Sequence, residues 1–263
     1  MKQRIITAVI AILLFFPIVF FGGWPFKTLV YIIATIGVLE LLKMRMTVNY
    51  VVPFALTILL LWALLIPLTE HEIMDLLQIN KTEMTLTAVL LLLSYTVLVK
   101  NKFTFEDAGF LVLSAIYVGT GFYYFMDARE AGPEFIFYGI IVVLATDTGA
   151  YFCGRAFGRR KLWPEISPNK TIEGAVGGVV LACVVAVIFH LIFPLPHNLG
   201  IIVFVTILAS FVGQIGDLVE SAFKRYYDVK DSGNLLPGHG GILDRFDSWL
   251  FIFPLLHLIH FIS

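Results

Sequence analysis

The sequence predicts an all-α protein, a polytopic transmembrane helical bundle of about nine spans with its N-terminus in the cytoplasm. Three observations carry that reading. Of the 263 residues, 59% are hydrophobic and 14% charged, against about 25% charged in a soluble domain, and the mean hydropathy is +0.91. Apolar runs long enough to cross a bilayer, roughly 17–25 residues each, recur along the whole chain. The ~10-residue alternating strands of a transmembrane barrel do not occur.

Taken in order, the spans fall at about 5–22, 26–42, 50–68, 84–99, 109–126, 134–153, 174–194, 199–220 and 246–262. The first follows Lys2 and Arg4, as a signal peptide would. Its apolar run is long, has no small-residue cleavage site and is followed by further spans, so it reads as a retained helix. Basic residues then set the orientation, because they concentrate on the cytoplasmic side. With the N-terminus inside, the inner segments hold Lys2, Arg4, Lys43, Arg45, Lys100, Lys102, Arg155, Arg159, Arg160, Lys161, Lys170, Lys224, Arg225, Lys230 and Arg245. That is fifteen of the eighteen basic residues. The outer segments keep Lys27, Lys81 and Arg129, beside acids such as Glu70, Glu72, Asp75, Asp127 and Glu130. A net charge of −1 hides this asymmetry. No repeat, low-complexity tract or separate soluble domain interrupts the pattern. The chain divides into N-terminal transmembrane helices, 1–130, and a catalytic transmembrane region with cytoplasmic loops, 131–263.

Cys153 and Cys183 lie in or beside spans, outside any redox or metal motif, and read as buried thiols. His190, His257 and His260 in hydrophobic helices, and His71 and His197 in outer loops, read as packing or surface residues. The chemistry therefore falls to two inner loops and the helix ends beside them.

The first loop covers residues 145–178. Asp147 falls inside a span, where an ionised carboxylate costs several kcal/mol unless paired or wetted; it either pairs with an arginine such as Arg155 or faces a polar cavity. The stretch SPNKT brings Ser167, Asn169 and Lys170 to a helix start, where a hydroxyl, an ammonium and free amides together make a phosphate cradle. Gly174 and Gly178, four apart, point to close helix packing. In the second loop Asp217, Glu220, Ser221 and Lys224 are spaced i, i+3, i+4 and i+7 and share one helix face. Such a stripe is wasted against lipid and should face protein or water. The segment KDSGNLLPGHGGILDRFDS, 230–248, follows, with Gly233, Gly238, Gly240 and Gly241 allowing tight turns and close approach to a ligand. Asp244, Asp247 and Ser248 then open the last span. Hard oxygen donors with no thiolate favour Mg²⁺ over zinc. There is no Walker sequence and no serine or cysteine nucleophile beside a base. The residues alone lead to a membrane enzyme handling phosphates on the cytoplasmic face.

A resemblance sharpens that reading. Ser221-x-Phe223-Lys224-Arg225, then Lys230-Asp231, Gly233, Leu236-Pro237, His239-Gly240-Gly241, Asp244-Arg245 and Phe246-Asp247 resemble the signature of the phosphatidate cytidylyltransferases (CDP-diacylglycerol synthases), without mismatch over those 27 residues. The upstream stretches DTGAYFCGRAFGRRKL and SPNKTIEG are also similar to that family. The departures are Asn169, where the family carries a second basic residue, and Ile172, where an aromatic is common; Lys170 and Glu173 stay in place. The resemblance covers about 45% of the chain, at its C-terminal end, and the first ~130 residues match only as hydrophobic helices.

The resemblance implies transfer of CMP from CTP to phosphatidate, giving CDP-diacylglycerol and pyrophosphate, with Mg²⁺, at the cytoplasmic face of the cell membrane. It makes Asp217, Asp244, Lys170 and Lys224 the catalytic set. Asp217 and Asp244 are first-choice metal ligands, with Asp247 and Asp147 supporting. Ser167, Lys170, Ser221, Lys224, Arg225 and Arg245 fall to CTP or lipid phosphates, and His239 to the nucleotide site. A monovalent cation beside the Mg²⁺ and a homodimer stay open; no nucleic-acid partner is expected. Two rivals stand beside it: a CTP-using lipid kinase or cytidylyltransferase for another lipid phosphate, and a transporter of anionic solutes, which would place its charges mid-membrane on broken helices. The physics suits cytidylyl transfer. A phosphate monoester has a second pKa of ≈ 6, so the nucleophile needs no strong base. The task is to bring two polyanions together, hold attack in line and neutralise departing pyrophosphate.

Overall fold

The computed structural model describes residues 2–45, 50–67, 80–235, 238 and 240–262. Its helices are α1 (Lys2–Phe21), α2 (Gly23–Met44), α3 (Val51–Leu65), α4 (Lys81–Leu98), α5 (Phe105–Ala131), α6 (Pro133–Phe157), α7 (Ile172–Ile192), α8 (Leu199–Tyr226), α9 (Leu243–Phe246) and α10 (Trp249–Leu258). Strands β1 (Lys161–Trp163) and β2 (Ser167–Thr171) form an antiparallel hairpin between α6 and α7, the one sheet among the described residues. The stretch SPNKT, expected as the lead-in to a helix, is thus a strand. Helix α7 starts immediately after it, at Ile172.

Six helices, α2 and α4 to α8, are long and apolar enough to cross a membrane, and α3, α10 and residues 9–21 of α1 are shorter apolar helices. The chain is a helical membrane protein. The expected span at 246–262 is helical as α10, and Asp247 and Ser248, both with right-handed helical backbone, join it to the short α9.

Local chemistry sets the helix starts. Asn80 with Glu83, and Thr104 with Asp107, close reciprocal capping boxes on α4 and α5, satisfying amide groups that a helix start leaves open. Pro133 occupies the first turn of α6, where its missing N–H costs nothing. Thr171 Oγ1 accepts from Gly174 N at 3.1 Å, and Asn198 Oδ1 from Ile201 N at 2.9 Å, capping α7 and α8.

Small residues bring α6 and α7 into backbone contact. A methyl group at Gly149 would lie 2.7 Å from the Gly177 carbonyl and 2.9 Å from Gly178 Cα, so this crossing tolerates no side chain at Gly149. On its other face α7 turns Val176, Val180, Val184 and Ile188, four apart, outward, the stripe that lipid requires. At the centre of the bundle, Phe125 meets Phe26, Trp249 and Phe253 with ring centroids 5.5, 5.5 and 5.0 Å away, tying α2, α5 and α10 together.

Polar contacts gather at two ends. At one, Arg45 pairs with Asp107 at 2.9 Å, Tyr50 donates to the Lys102 carbonyl at 2.7 Å, and Arg225 Nε donates to the Ile166 carbonyl at 3.3 Å. At the other, Arg129 donates to the Val19 and Phe20 carbonyls at 2.6 Å each, and Lys27 pairs with Glu130 at 2.8 Å. Lys81 donates to the Leu64 carbonyl at 2.8 Å, and Asp127 meets His257 Nδ1 at 2.9 Å. Consecutive long helices therefore run in alternating directions. The two sequence-identified loops lie at the first of these ends.

Candidate active site

The end of α6, the hairpin, the start of α7 and the C-terminal half of α8 enclose a cleft of ≈ 530 Å³, within the ~300–1,000 Å³ typical of small-molecule sites. Asp147, Tyr151 and Arg155 from α6, Asn169 and Lys170 from β2, and Gln214 and Asp217 from α8 line it. Lys170 brings a buried ammonium 2.5 Å from Asp217 Oδ2, and Ser221 Oγ lies 3.4 Å from Asp217 Oδ1. Arg155 donates to the Tyr151 hydroxyl at 3.3 Å, and Asp147 lines the cleft beside them. The hairpin is held by Glu173, the second residue of α7, whose carboxylate accepts the backbone N–H groups of Arg159 at 3.0 Å and Arg160 at 3.2 Å.

Farther along α8, Lys224 Nζ is shared between Glu220 Oε2 at 2.5 Å and Asp244 Oδ1 at 2.6 Å. All four residues of the α8 stripe are thus turned inward, as their spacing required. Glu220 is fully buried, its Oε1 has no hydrogen-bond partner among the described residues, and the buried Tyr117 hydroxyl stands within electrostatic reach of it and of Asp247. Asp247 Oδ1 accepts the Ser248 N–H at 2.7 Å; its carboxylate lies within electrostatic reach of Asp217 and Asp147. Asp244 has a second task. Its Oδ2 accepts the N–H of Ser232 at 2.9 Å, the hydroxyl of Ser232 at 2.9 Å and the N–H of Gly241 at 2.8 Å. Burial by itself would raise this carboxyl, but the Lys224 ammonium and the Gly241 N–H outweigh burial and hold it down at about 2.

The structure brings Asp147, Lys170 and Asp217 together at the cleft, with Asp247 close by, and Lys224 and Asp244 in the adjoining cluster. Ser167 pairs with Trp163 within the hairpin. Arg225 is exposed, with its Nε on the Ile166 carbonyl. Arg245 is exposed and within electrostatic reach of Asp147. His239 lies outside the described residues. Sequence reasoning missed two participants. Gln214 lines the cleft and donates to the Ala175 carbonyl at 3.3 Å. Glu40, in α2, accepts Ser232 Oγ, Ile242 N and Leu243 N, each at 2.9 Å. The signal for Glu40 was present, because an ionisable residue inside an apolar span marks a functional role by default.

The sequence model described as "Cytidylyltransferase family" matches residues 2–263 of this chain. The chain belongs to the cytidylyltransferase family. It is 51% identical over 262 residues to the phosphatidate cytidylyltransferase of Bacillus subtilis (strain 168), covering 98% of this chain and 97% of that relative. The enzyme of the same description from Staphylococcus haemolyticus (strain JCSC1435) is 46% identical over 259 residues, with 98% of each chain covered. That from Staphylococcus aureus (strain COL) is 43% identical over 259 residues, again with 98% of each covered. The likeness therefore extends through the N-terminal helices, which the sequence reading had compared only as hydrophobic segments.

Proposed function

We propose that this chain is a phosphatidate cytidylyltransferase. It moves the cytidylyl group of CTP onto the phosphate of phosphatidate, giving CDP-diacylglycerol and pyrophosphate. The observation that carries the reading is the Lys170–Asp217 pair, 2.5 Å apart, on the wall of the ≈ 530 Å³ cleft with Asp147. A cation and two carboxylates side by side suit a triphosphate and its counter-ion.

In the reaction an oxygen of the phosphatidate phosphate forms a bond to the α-phosphorus of CTP. The bond from that phosphorus to its bridging oxygen breaks, and pyrophosphate leaves with the electron pair. Lys170 offers charge to the nucleotide phosphates from the cleft wall. Lys224 is held by Glu220 as well as Asp244, so it can turn toward a phosphate while one contact persists. Arg225 and Arg245, both exposed at the same end, meet the remaining phosphate charge, and Ser167, Ser221 and His239 complete the substrate contacts.

The donor set fits Mg²⁺. Among the described residues no three of His, Cys, Asp and Glu are grouped to hold a metal ion; Mg²⁺ takes one or two carboxylates and completes its shell with phosphates and water. Asp217 and Asp244 each hold an ammonium group, at 2.5 and 2.6 Å, which a bound ion would displace toward the phosphates. These two would hold the ion, with Asp147 and Asp247 supporting. Bound Mg²⁺ supplies charge neutralisation for the phosphoryl oxygens and the leaving pyrophosphate.

For the bilayer we propose nine crossings, with the N-terminus and the active site on the cytoplasmic face of the cell membrane. The alternating helix directions support this, as does the placement of fifteen of eighteen basic residues on the inner side. A lipid phosphate at the interface and a water-soluble nucleotide then meet at one depth. Residues 131–263 carry the cleft, and Glu40 links the N-terminal helices to it. The reading is tested by supplying the purified protein with CTP, Mg²⁺ and a panel of lipid phosphates. CDP-diacylglycerol from phosphatidate is the expected product; turnover only with an isoprenoid-ether phosphate would contradict the assignment.

A further inference from the structure

We infer that Glu40 is a positioning residue for cytidylyl transfer, an inference that rests on the activity just proposed. Glu40 sits one turn before the end of α2, 4% exposed, within the otherwise apolar run Val38-Leu39-Glu40-Leu41-Leu42. Its Oε1 accepts the Ile242 N–H at 2.9 Å, and its Oε2 accepts the Leu243 N–H and the Ser232 hydroxyl, also at 2.9 Å. Both oxygens are thus committed to the segment that carries Asp244. Glu40 does not line the cleft, so it acts through other residues.

The chain of contacts is short. Ser232 has one hydroxyl proton and two carboxylate oxygens at the same 2.9 Å distance, Glu40 Oε2 and Asp244 Oδ2. Asp244 in turn holds Lys224 at 2.6 Å. Movement of Glu40 therefore moves the backbone at Ile242 and Leu243, the Ser232 hydroxyl, and through them the Asp244–Lys224 pair. Two glycines of the segment follow from the same carboxylate. A methyl at Gly233 or Gly241 would approach Glu40 Oε1 to 2.5 Å. Neither glycine adopts a positive φ, so room for Glu40, and at Gly241 for the Ser232 hydroxyl as well, requires them rather than backbone conformation. A buried carboxylate is a weak source of stability, because desolvation offsets most of what its partners return. What it supplies is direction: three bonds from fixed angles orient a glycine-rich segment that apolar contact would let slide.

The test uses Glu40→Gln, which keeps size but offers one acceptor oxygen where the segment needs two, and Ser232→Ala, which removes only the shared hydroxyl. In purified protein with CTP, phosphatidate and Mg²⁺, Glu40→Gln should lower kcat about tenfold to a hundredfold, the range that misplacement of reacting groups costs. The KM for CTP should stay within about threefold, since no substrate contact is removed. The double variant should be little slower than Glu40→Gln alone, because the hydroxyl acts through the same carboxylate. Wild-type kcat in Glu40→Gln would overturn the proposal, as would full recovery of kcat on assaying well below the variant's melting temperature. If Glu40→Gln does not fold, Ser232→Ala decides: a clear fall in kcat supports the proposal and wild-type kcat overturns it. Absence of CDP-diacylglycerol from the wild-type protein would instead sink the assigned reaction. The Glu40–Ser232 linkage is then read from melting temperatures, where the double variant should lose less than the two single losses added; additive losses overturn it.

Discussion

Lys170, on a two-stranded hairpin, and Asp217, on the long eighth helix, meet at 2.5 Å on the wall of the cleft. The pair joins the hairpin to α8, and in the proposed function its ammonium meets the nucleotide phosphates. Lys170→Ala should lower kcat/KM about 10–150-fold, since a charge-assisted hydrogen bond is worth roughly 1.5–3 kcal/mol. Steady-state kinetics in detergent, with size-exclusion elution as the check on folding, measure this. Full activity in a folded Lys170→Ala variant would remove the residue from the site.

Much of this arrangement was legible from local spacing. Asp217, Glu220, Ser221 and Lys224 share a face by helix geometry alone, and a polar face at the end of an apolar helix has to turn inward. Asp147 announced itself by its charge within a span. Glu40 carries the same local mark, but its partners, Ser232, Ile242 and Leu243, lie 192 to 203 positions downstream, a separation no periodicity reports. The hairpin was hidden for another reason. With three and five residues per strand, it has too little alternation to be read, and part of its support comes from Glu173, which holds the Arg159 and Arg160 amides from outside.

Asp217→Asn and Asp244→Asn should each lower turnover by about two orders of magnitude or more, as loss of metal charge stabilisation removes several kcal/mol. Both should need more Mg²⁺ for half-maximal rate. Their stabilities should differ. Asp217 is one-third exposed, with Lys170 as its ion-pair partner, whereas Asp244 is 8% exposed and holds Lys224, Ser232 and Gly241. Asp244→Asn should therefore melt distinctly lower than wild type at neutral pH, with Asp217→Asn close to it. An Asp244→Asn protein as stable as wild type would contradict the loop-anchoring role.

The same residue sets a pH dependence. The Asp244 carboxyl is held at about 2, below its ordinary value near 3.9, so the folded state favours the ionised form. Its stabilisation is complete above about pH 4–5 and is lost as pH falls toward 2. The melting-temperature gap between wild type and Asp244→Asn should stay level from pH 7 to about 5 and narrow below about 4. A gap that widened on acidification would refute the assignment.

Orientation is open to labelling. In a variant with Cys153 and Cys183 replaced by alanine, Lys161→Cys in the hairpin should react with an impermeant thiol reagent only from the cytoplasmic side. Pro196→Cys, between α7 and α8, should react only from outside. Reaction of both from one side would overturn the alternating topology.

The central claim is that the cytidylyl group, not the terminal phosphate, reaches the lipid. CTP labelled at the α-phosphorus and, in a parallel reaction, at the γ-phosphorus, incubated with purified protein, phosphatidate and Mg²⁺, tests this directly. The account predicts that the α label enters the organic phase as CDP-diacylglycerol while the γ label remains in aqueous pyrophosphate. Transfer of the γ label to lipid, with the α label left in water-soluble nucleotide, would identify a kinase and contradict the account.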